Sequence, residues 1–200
     1  MRSSVRSAAA LVMLPVIVGC ASTRSSSPYA SQAESARDGI KAQALTQQAA
    51  AIMDKDPAKA EKLLREALTA DLYHGPAHNN LGVVYLRQND LYRAAGEFSW
   101  AQKLMPGLPD PRMNLALTLE KAGRTDDALK GYQSALEVYP DHLPTLEALA
   151  RLQIRSGKTD DRTRHALEEI AFRGESERWR DWARLELTRT QSPGPERSGR

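Results

Sequence analysis

The sequence contains a single cysteine, Cys20, among its 200 residues. One thiol cannot form a disulfide within the chain, so the fold must be held together by its core alone. The sequence also has little excess charge of either sign. Its net charge is +3 at pH 7, and loss of Arg2 and Arg6 with a cleaved leader would reduce it to +1. Basic and acidic residues are interspersed, which gives no indication of nucleic-acid binding.

Motifs that carry chemistry are missing as well. The sequence has no Gly-rich phosphate loop and no G-x-S-x-G nucleophile motif. Two pairs of carboxylates, Asp126-Asp127 and Asp160-Asp161, each open a predicted helix, where negative charge suits the positive end of the helix dipole. The sequence therefore predicts no catalytic residue, no cofactor and no enzymatic activity.

The four histidines are His74, His78, His142 and His165. The first two are four residues apart, but Gly75-Pro76 is expected to interrupt the helix that would place them on one face. No further cysteine or suitably spaced acidic residue completes a ligand set. All four are predicted to be loop residues, and no metal site is expected.

The N-terminus has the features of an export signal. Arg2 and Arg6 precede the uncharged apolar run Ala8 to Val18, and Gly19 and Cys20 follow. A basic start, a short apolar stretch and small residues at the end are typical of a secretory signal. The run is shorter than the roughly 20 residues that a membrane-spanning helix needs.

This segment resembles the lipobox of bacterial lipoproteins, in which small residues precede an acylated cysteine. The resemblance implies that residues 1–19 are a signal peptide and that the Cys20 thiol receives a diacylglycerol before Cys20 becomes the new N-terminus. The alternative is an ordinary signal peptide whose cysteine is incidental. Because Ala21 is not an aspartate, the resemblance favours the outer membrane, facing the periplasm.

Ser- and Ala-rich residues continue to position 36, so 20–36 are predicted to be the lipidated cysteine and a flexible tether. The last ten residues, 191–200, are predicted to be disordered. Residues 37–174 between these ends would form one elongated domain, followed by a helix over 175–190.

The domain is internally repetitive with a period of 34 residues. When Gly75 to Leu108 is aligned with Pro109 to His142, small, aromatic and proline positions coincide; the matching pairs are Ala94 with Ala128, Phe98 with Tyr132, Ala101 with Ala135, and Pro106 with Pro140. This pattern resembles the tetratricopeptide repeat, which has that length. The resemblance implies four helical hairpins, at about 41–74, 75–108, 109–142 and 143–176, stacked as an all-α solenoid.

Several local signals agree with that fold. Gly82, Ala94, Ala116 and Ala128 are expected to be small because paired helices approach closely there, and Gly123 and Gly157 suit the turn within a hairpin. In the fourth repeat Arg162 and Glu169 stand where small residues belong. Trp179 and Trp182 are predicted to cover the end of the stack as part of a capping helix. The alternative is that they form an aromatic docking patch.

In tetratricopeptide solenoids the first helix of each repeat lines the concave side, where ligands usually sit. The resemblance implies a partner-binding surface at the matching positions, which are Asn79, Asn80, Val83, Leu86, Arg87, Met113, Asn114, Leu117 and Lys121. Asn80 and Asn114 share the position of an asparagine ladder that holds peptide backbones in some members, although Thr46 and Ala148 interrupt it here. Asp110, Pro144 and Ala148 replace the bases of the carboxylate clamp, so binding of chaperone tails is not expected.

These features together predict a membrane-anchored scaffold or adaptor in the bacterial cell envelope. It would hold a protein or peptide partner on its concave face and be attached to the membrane through lipid on Cys20, without nucleic acid or cofactor. The alternative is a structural, self-assembling envelope lipoprotein without a dedicated peptide ligand.

Substitution of Cys20 by Ser is expected to abolish lipid attachment, because the hydroxyl is not the acylated thiol of the lipobox. Incorporation of labelled palmitate and membrane fractionation measure the effect. If the variant incorporates as much label as the unmodified protein, the lipoprotein hypothesis is wrong.

Overall fold

The computed structural model describes residues 37–191. These residues form nine helices and contain no strand; the helices are α1 (Gly39–Ile52), α2 (Pro57–Ala70), α3 (Gly75–Arg87), α4 (Leu91–Leu104), α5 (Asp110–Lys121), α6 (Thr125–Val138), α7 (Leu143–Ser156), α8 (Asp161–Arg173) and α9 (Glu177–Gln191). None of these helices has both the length and the apolar character needed to cross a bilayer. The predicted signal peptide, Cys20 and the tether lie outside the described residues, as does the predicted tail beyond Gln191.

The helices stack as a solenoid of hairpins, as the sequence predicts. Each of the helices α1, α3, α5 and α7 packs against the helix that follows it, and α1 also contacts α3, as α3 contacts α5. Ion pairs join α7 to α5, and residues of α7 and α9 line one cavity. The first helices of the repeats and α9 are here called the first-helix layer. Apolar residues between the helices form three buried clusters along the stack.

Turns within the hairpins recur at one position of the repeat. Gly123 and Gly157 have φ values of 76° and 68°, which confirms the turn predicted for both. The residue one 34-residue period before Gly123 is Asn89, whose φ of 60° is also in the left-handed region. Asparagine tolerates this region better than most residues with a side chain, so the three turns share one geometry although their residue types differ.

Close helix approach explains the small residues of the repeat. A Cβ atom on Gly82 would lie 2.7 Å from Cε1 of the Phe98 ring, so any side chain there would displace the ring. In the next repeat a Cβ on Gly131 would lie 2.8 Å from the Cβ of Ala116. The two hairpins therefore pack equally closely, but the glycine lies on the first helix in one, α3, and on the second helix in the other, α6.

The second helix of the fourth repeat is shifted in register by one residue. The residues one period after Ala128 and Ala135 are Arg162 and Glu169, but α8 instead buries Thr163, Ala166, Leu167 and Ile170. The reason is local: a connection of four residues, 157–160, precedes α8, and the preceding two hairpins use three. The Asp160 side chain accepts a hydrogen bond from the Thr163 N–H and starts the helix at this later point.

Helix α9 occupies the place of the first helix of a fifth repeat. It starts at Glu177, one period after α7 starts at Leu143, and it packs against α8. Ala183 is buried in the cluster formed by α7 and α8, and Trp179 and Trp182 pack against that cluster. At the position of close approach, where earlier repeats have Gly82, Ala116 and Ala150, α9 has the exposed Arg184. Within residues 37–191 no second helix packs at this position.

Overpacking at Ala128 tests the register of the repeats. Ala128 is fully buried in α6, so Ala128→Leu is expected to lower the free energy of unfolding by about 1–3 kcal/mol. The same substitution at Ala50, which is exposed on α1, is the control and should change it little. Urea unfolding followed by circular dichroism measures both variants, and equal midpoints for the two would contradict the described packing.

Candidate functional site

The candidate binding residues all lie on α3 and α5, next to one another in the first-helix layer. Seven of the nine are half-buried, and only Arg87 and Lys121 are exposed. Because α3 and α5 contact one another, the two sets of residues form one continuous surface. Its polar and apolar residues differ in how much of each side chain is left available for contact with a partner.

The three asparagines are joined side chain to side chain. Asn114 donates from Nδ2 to Oδ1 of Asn79 at 3.1 Å, and Asn79 donates from Nδ2 to Oδ1 of Asn80 at 3.5 Å. These residues line a cavity of about 260 Å³ between α3 and α5. Among the described residues, Nδ2 of Asn80 and Oδ1 of Asn114 have no partner, so the row has a free donor at one end and a free acceptor at the other.

The apolar candidates are partly used by the fold. Val83 and Leu86 pack against the buried cluster formed by α1 to α4. Met113 and Leu117 pack against the next cluster, around Tyr132. Each presents only part of its side chain to solvent, so this surface offers apolar contact at separate points and not as one broad patch.

The basic candidates divide into paired and unpaired groups. Arg87 donates from Nη1 to Oδ1 of Asp54 at 2.5 Å, which links the second repeat to the first. Arg155, one period after Lys121, donates to Oε1 of Glu120 at 2.9 Å. Lys121 has no acidic partner within 4 Å among the described residues. Of these three basic residues, which share one position of the repeat, two are therefore engaged in ion pairs between neighbouring repeats.

Glu120 is the centre of a polar cluster that the sequence analysis did not single out. Its side chain is only 7% exposed, and Oε2 accepts a hydrogen bond from the Tyr132 hydroxyl at 2.7 Å. Arg151 and Arg155 both approach Oε1, at 3.5 Å and 2.9 Å. Burial raises the pKa of Tyr132, and its hydrogen bond to Glu120 raises it further, so the hydroxyl remains a donor. The signal in the sequence was the 34-residue spacing of Lys121 and Arg155, with an acidic residue beside the former.

The prediction that His78 is a loop residue was wrong. Helix α3 starts at Gly75, and Pro76 lies in its first turn, where the missing N–H leaves no helical hydrogen bond unmade. His78 is therefore inside the helix and 4% exposed. Its Nδ1 lies 2.6 Å from Oε2 of Glu97 and its Nε2 lies 2.9 Å from the Leu72 carbonyl oxygen. His165 is likewise helical, in α8, and His74 and His142 immediately precede α3 and α7.

Both ring nitrogens of His78 face acceptors, so both bonds form fully only when the ring is protonated. Burial lowers the pKa of His78, but the hydrogen bonds to Glu97 and to Leu72 and the charge of Glu97 outweigh it, and the net direction is upward. The Trp100 ring stacks on this imidazole with the centroids 5.9 Å apart. This arrangement holds the loop before α3 against α3 and α4. Within residues 37–191 no group of three or more His, Cys, Asp or Glu residues could hold a metal ion.

The repeats match known families. Residues 54–109 and 109–152 match two family models, both described as tetratricopeptide repeat, so the prediction of such repeats is confirmed for the centre of the chain. Tetratricopeptide repeat protein 8 of Mus musculus and that of Homo sapiens are 27% and 28% identical over 94 residues. That stretch is 47% of this chain but only 18% and 17% of the two relatives, so the match spans less than a fifth of their length.

Solved structures of low sequence identity share the fold. A tetratricopeptide repeat protein from Parabacteroides merdae superposes with a TM-score of 0.61 at 23% identity, over 74% of this chain and 59% of that one. MamA gives 0.59 at 20% identity, over 66% and 80%. The first tetratricopeptide domain of Spaghetti (RPAP3), bound to an HSP90 peptide, gives 0.57 at 17% identity, over 61% and 98%. The described helices thus form a tetratricopeptide-type solenoid.

The His78 contact predicts a pH dependence of stability. Because its folded pKa is raised above the ordinary value of 6.5, the stabilisation is complete below pH 6.5 and is lost as the pH rises through the folded pKa. As the pH rises through the folded pKa of His78, the free energy of unfolding of the unmodified protein should therefore fall relative to that of His78→Gln. Urea unfolding of both proteins at a series of pH values measures the difference. A difference that stays constant, or grows with pH, would contradict the assignment.

Proposed function

We propose that this chain, whose centre consists of tetratricopeptide repeats, is a scaffold that holds a partner peptide or protein segment on its first-helix layer. The observation that carries the proposal is the row formed by Asn79, Asn80 and Asn114, which crosses from α3 to α5. The proposed role is binding and not catalysis.

The row suits a peptide backbone because of what its ends leave free. A peptide group presents one N–H and one C=O, and the row offers an acceptor on Asn114 and a donor on Asn80. Each amide is half-buried, which limits competition from water, and the internal hydrogen bonds hold the amides in place. Interactions of this kind recognise the main chain and therefore an extended segment of many possible sequences.

Side chains around the row would add selectivity. Val83, Leu86, Met113 and Leu117 offer separate apolar contacts, and the unpaired Lys121 offers positive charge. An extended segment with apolar and acidic residues fits these groups. The RPAP3 domain, which has the same type of fold, is bound to a peptide in its structure, and this supports a peptide as the class of ligand.

The proposal also includes a membrane anchor. Arg2 and Arg6, the apolar run and the small residues before Cys20 support an exported lipoprotein in the bacterial envelope, attached through the Cys20 thiol. A tether at residues 20–36 would then let the repeats reach a partner at some distance from the outer membrane. The scaffold would concentrate its partner at the membrane surface facing the periplasm.

Removal of the two end amides tests the proposal. Asn80→Ala with Asn114→Ala should reduce partner capture about tenfold, because two backbone hydrogen bonds are lost. The measurement is recovery of crosslinked partners from envelope extract by the full chain with its anchor kept. The matched control is Gln102→Ala with Gln133→Ala, which removes two half-buried amides from the second helices of the same two repeats.

Circular dichroism confirms that each variant is folded. If the asparagine variant captures the same partners as well as the control does, the row is not the binding site. A chain without lipid that elutes from gel filtration as a large homo-oligomer, and captures nothing when anchored, would favour the structural alternative instead.

A further inference from the structure

A second cavity lies at the C-terminal end of the first-helix layer. It has a volume of about 460 Å³ and lies between α7 and the start of α9, where it is lined by Arg151, Ser176, Arg178, Trp179 and Trp182. Trp182 lies three 34-residue periods after Asn80 and two after Asn114, so it occupies the equivalent place on its helix. The cavity therefore lies in the same first-helix layer as the asparagine row, and Arg151, which lines it, approaches Glu120 of α5.

The aromatic part of the lining is two indoles in an edge-to-face pair. The ring centroids of Trp179 and Trp182 are 5.2 Å apart and the rings are inclined by 83°. Both side chains are only half-buried, although each packs against the apolar cluster below. Rings in this arrangement present apolar surface and a partly positive edge, on which a further aromatic ring packs favourably.

The charged part of the lining is positive. Arg178 has no acidic partner within 4 Å among the described residues. Arg151 approaches Glu120 at 3.5 Å, but Arg155 approaches the same carboxylate oxygen at 2.9 Å, so two guanidinium groups share one carboxylate. The Nε of Arg151 is buried and has no hydrogen-bond partner within the described part of the chain. Glu147, one turn before Arg151, is buried and does not line the cavity.

We propose that this cavity binds a partner segment in which an aromatic residue is flanked by acidic residues. The aromatic ring would pack against Trp179 and Trp182. The carboxylates would pair with Arg178 and Arg151, whose planar donor groups bind carboxylates well. The inference rests on the proposed function, since it describes the chemistry of a partner that lies along the same first-helix layer.

Fluorescence of the cavity tryptophans tests this directly. The chain has three tryptophans, so Trp100→Phe in the full-length protein leaves Trp179 and Trp182 as the only two, and excitation at a wavelength that tyrosine does not absorb confines the signal to them. The probe is the peptide acetyl-Gly-Asp-Phe-Glu-Gly-amide, which has no terminal charge. Two controls each remove one feature: acetyl-Gly-Asn-Phe-Gln-Gly-amide lacks the acids, and acetyl-Gly-Asp-Ala-Glu-Gly-amide lacks the ring.

The acidic aromatic peptide is expected to bind saturably and about tenfold more tightly than either control. Arg178→Gln should weaken its binding about tenfold, because a charge-assisted hydrogen bond is lost. Arg184→Gln is the matched control, since Arg184 is an exposed arginine of the same helix that is paired with Asp181 and lies outside the cavity. Trp182→Leu should also weaken binding, with circular dichroism as the check on folding.

Equal affinity for the three peptides, no saturable signal, or unchanged binding by Arg178→Gln would each overturn the inference. Peptide binding without asparagine-dependent capture would refute the proposed function alone. Asparagine-dependent capture without peptide binding would refute the present inference alone.

Discussion

The close approach of two helices at one position per repeat is the constraint on which the rest of the structure depends. Gly82 leaves room for the Phe98 ring, and Ala116 meets Gly131 in the next hairpin. Because each hairpin can close only where bulk is absent, this contact sets the spacing of the helices within a repeat. One face of each first helix is used by this contact, and another face packs on the first helix of the neighbouring repeat. Asn79 and Asn114 meet at that second contact.

Much of the fold could be predicted because side-chain sizes and turn residues both recur every 34 residues. The glycines at 123 and 157 indicated the hairpin turns, and the small residues indicated the helix contacts. The register of α8 could not be predicted, since it depends on one additional residue in a connection and on the cap supplied by Asp160. His78 was misjudged because Gly-Pro was expected to interrupt a helix, whereas proline in the first turn is compatible with one.

The candidate site was predictable in position but less so in its interactions. The repeat period placed Asn80 and Asn114 on adjacent helices, yet only the structure gives the hydrogen bond from Asn114 to Asn79. Arg87 and Lys121 were expected to face a partner, but Arg87, like Arg155 at the same position of the fourth repeat, is paired with an acid of the preceding repeat. Ion pairs between repeats use residues about 34 positions apart, and a single sequence does not distinguish such a pair from free charges.

Arg184 has a consequence for how a chain of this kind can change in length over evolution. The hairpins of the second, third and fourth repeats each carry a small residue at the same place of the first helix, so a duplicate of one of these 34-residue units brings its own close contact with it. A second helix packed on α9 would meet a guanidinium group where it must come close. Gene duplication can therefore lengthen this array by inserting whole hairpins before α9, while α9 itself is inherited unchanged.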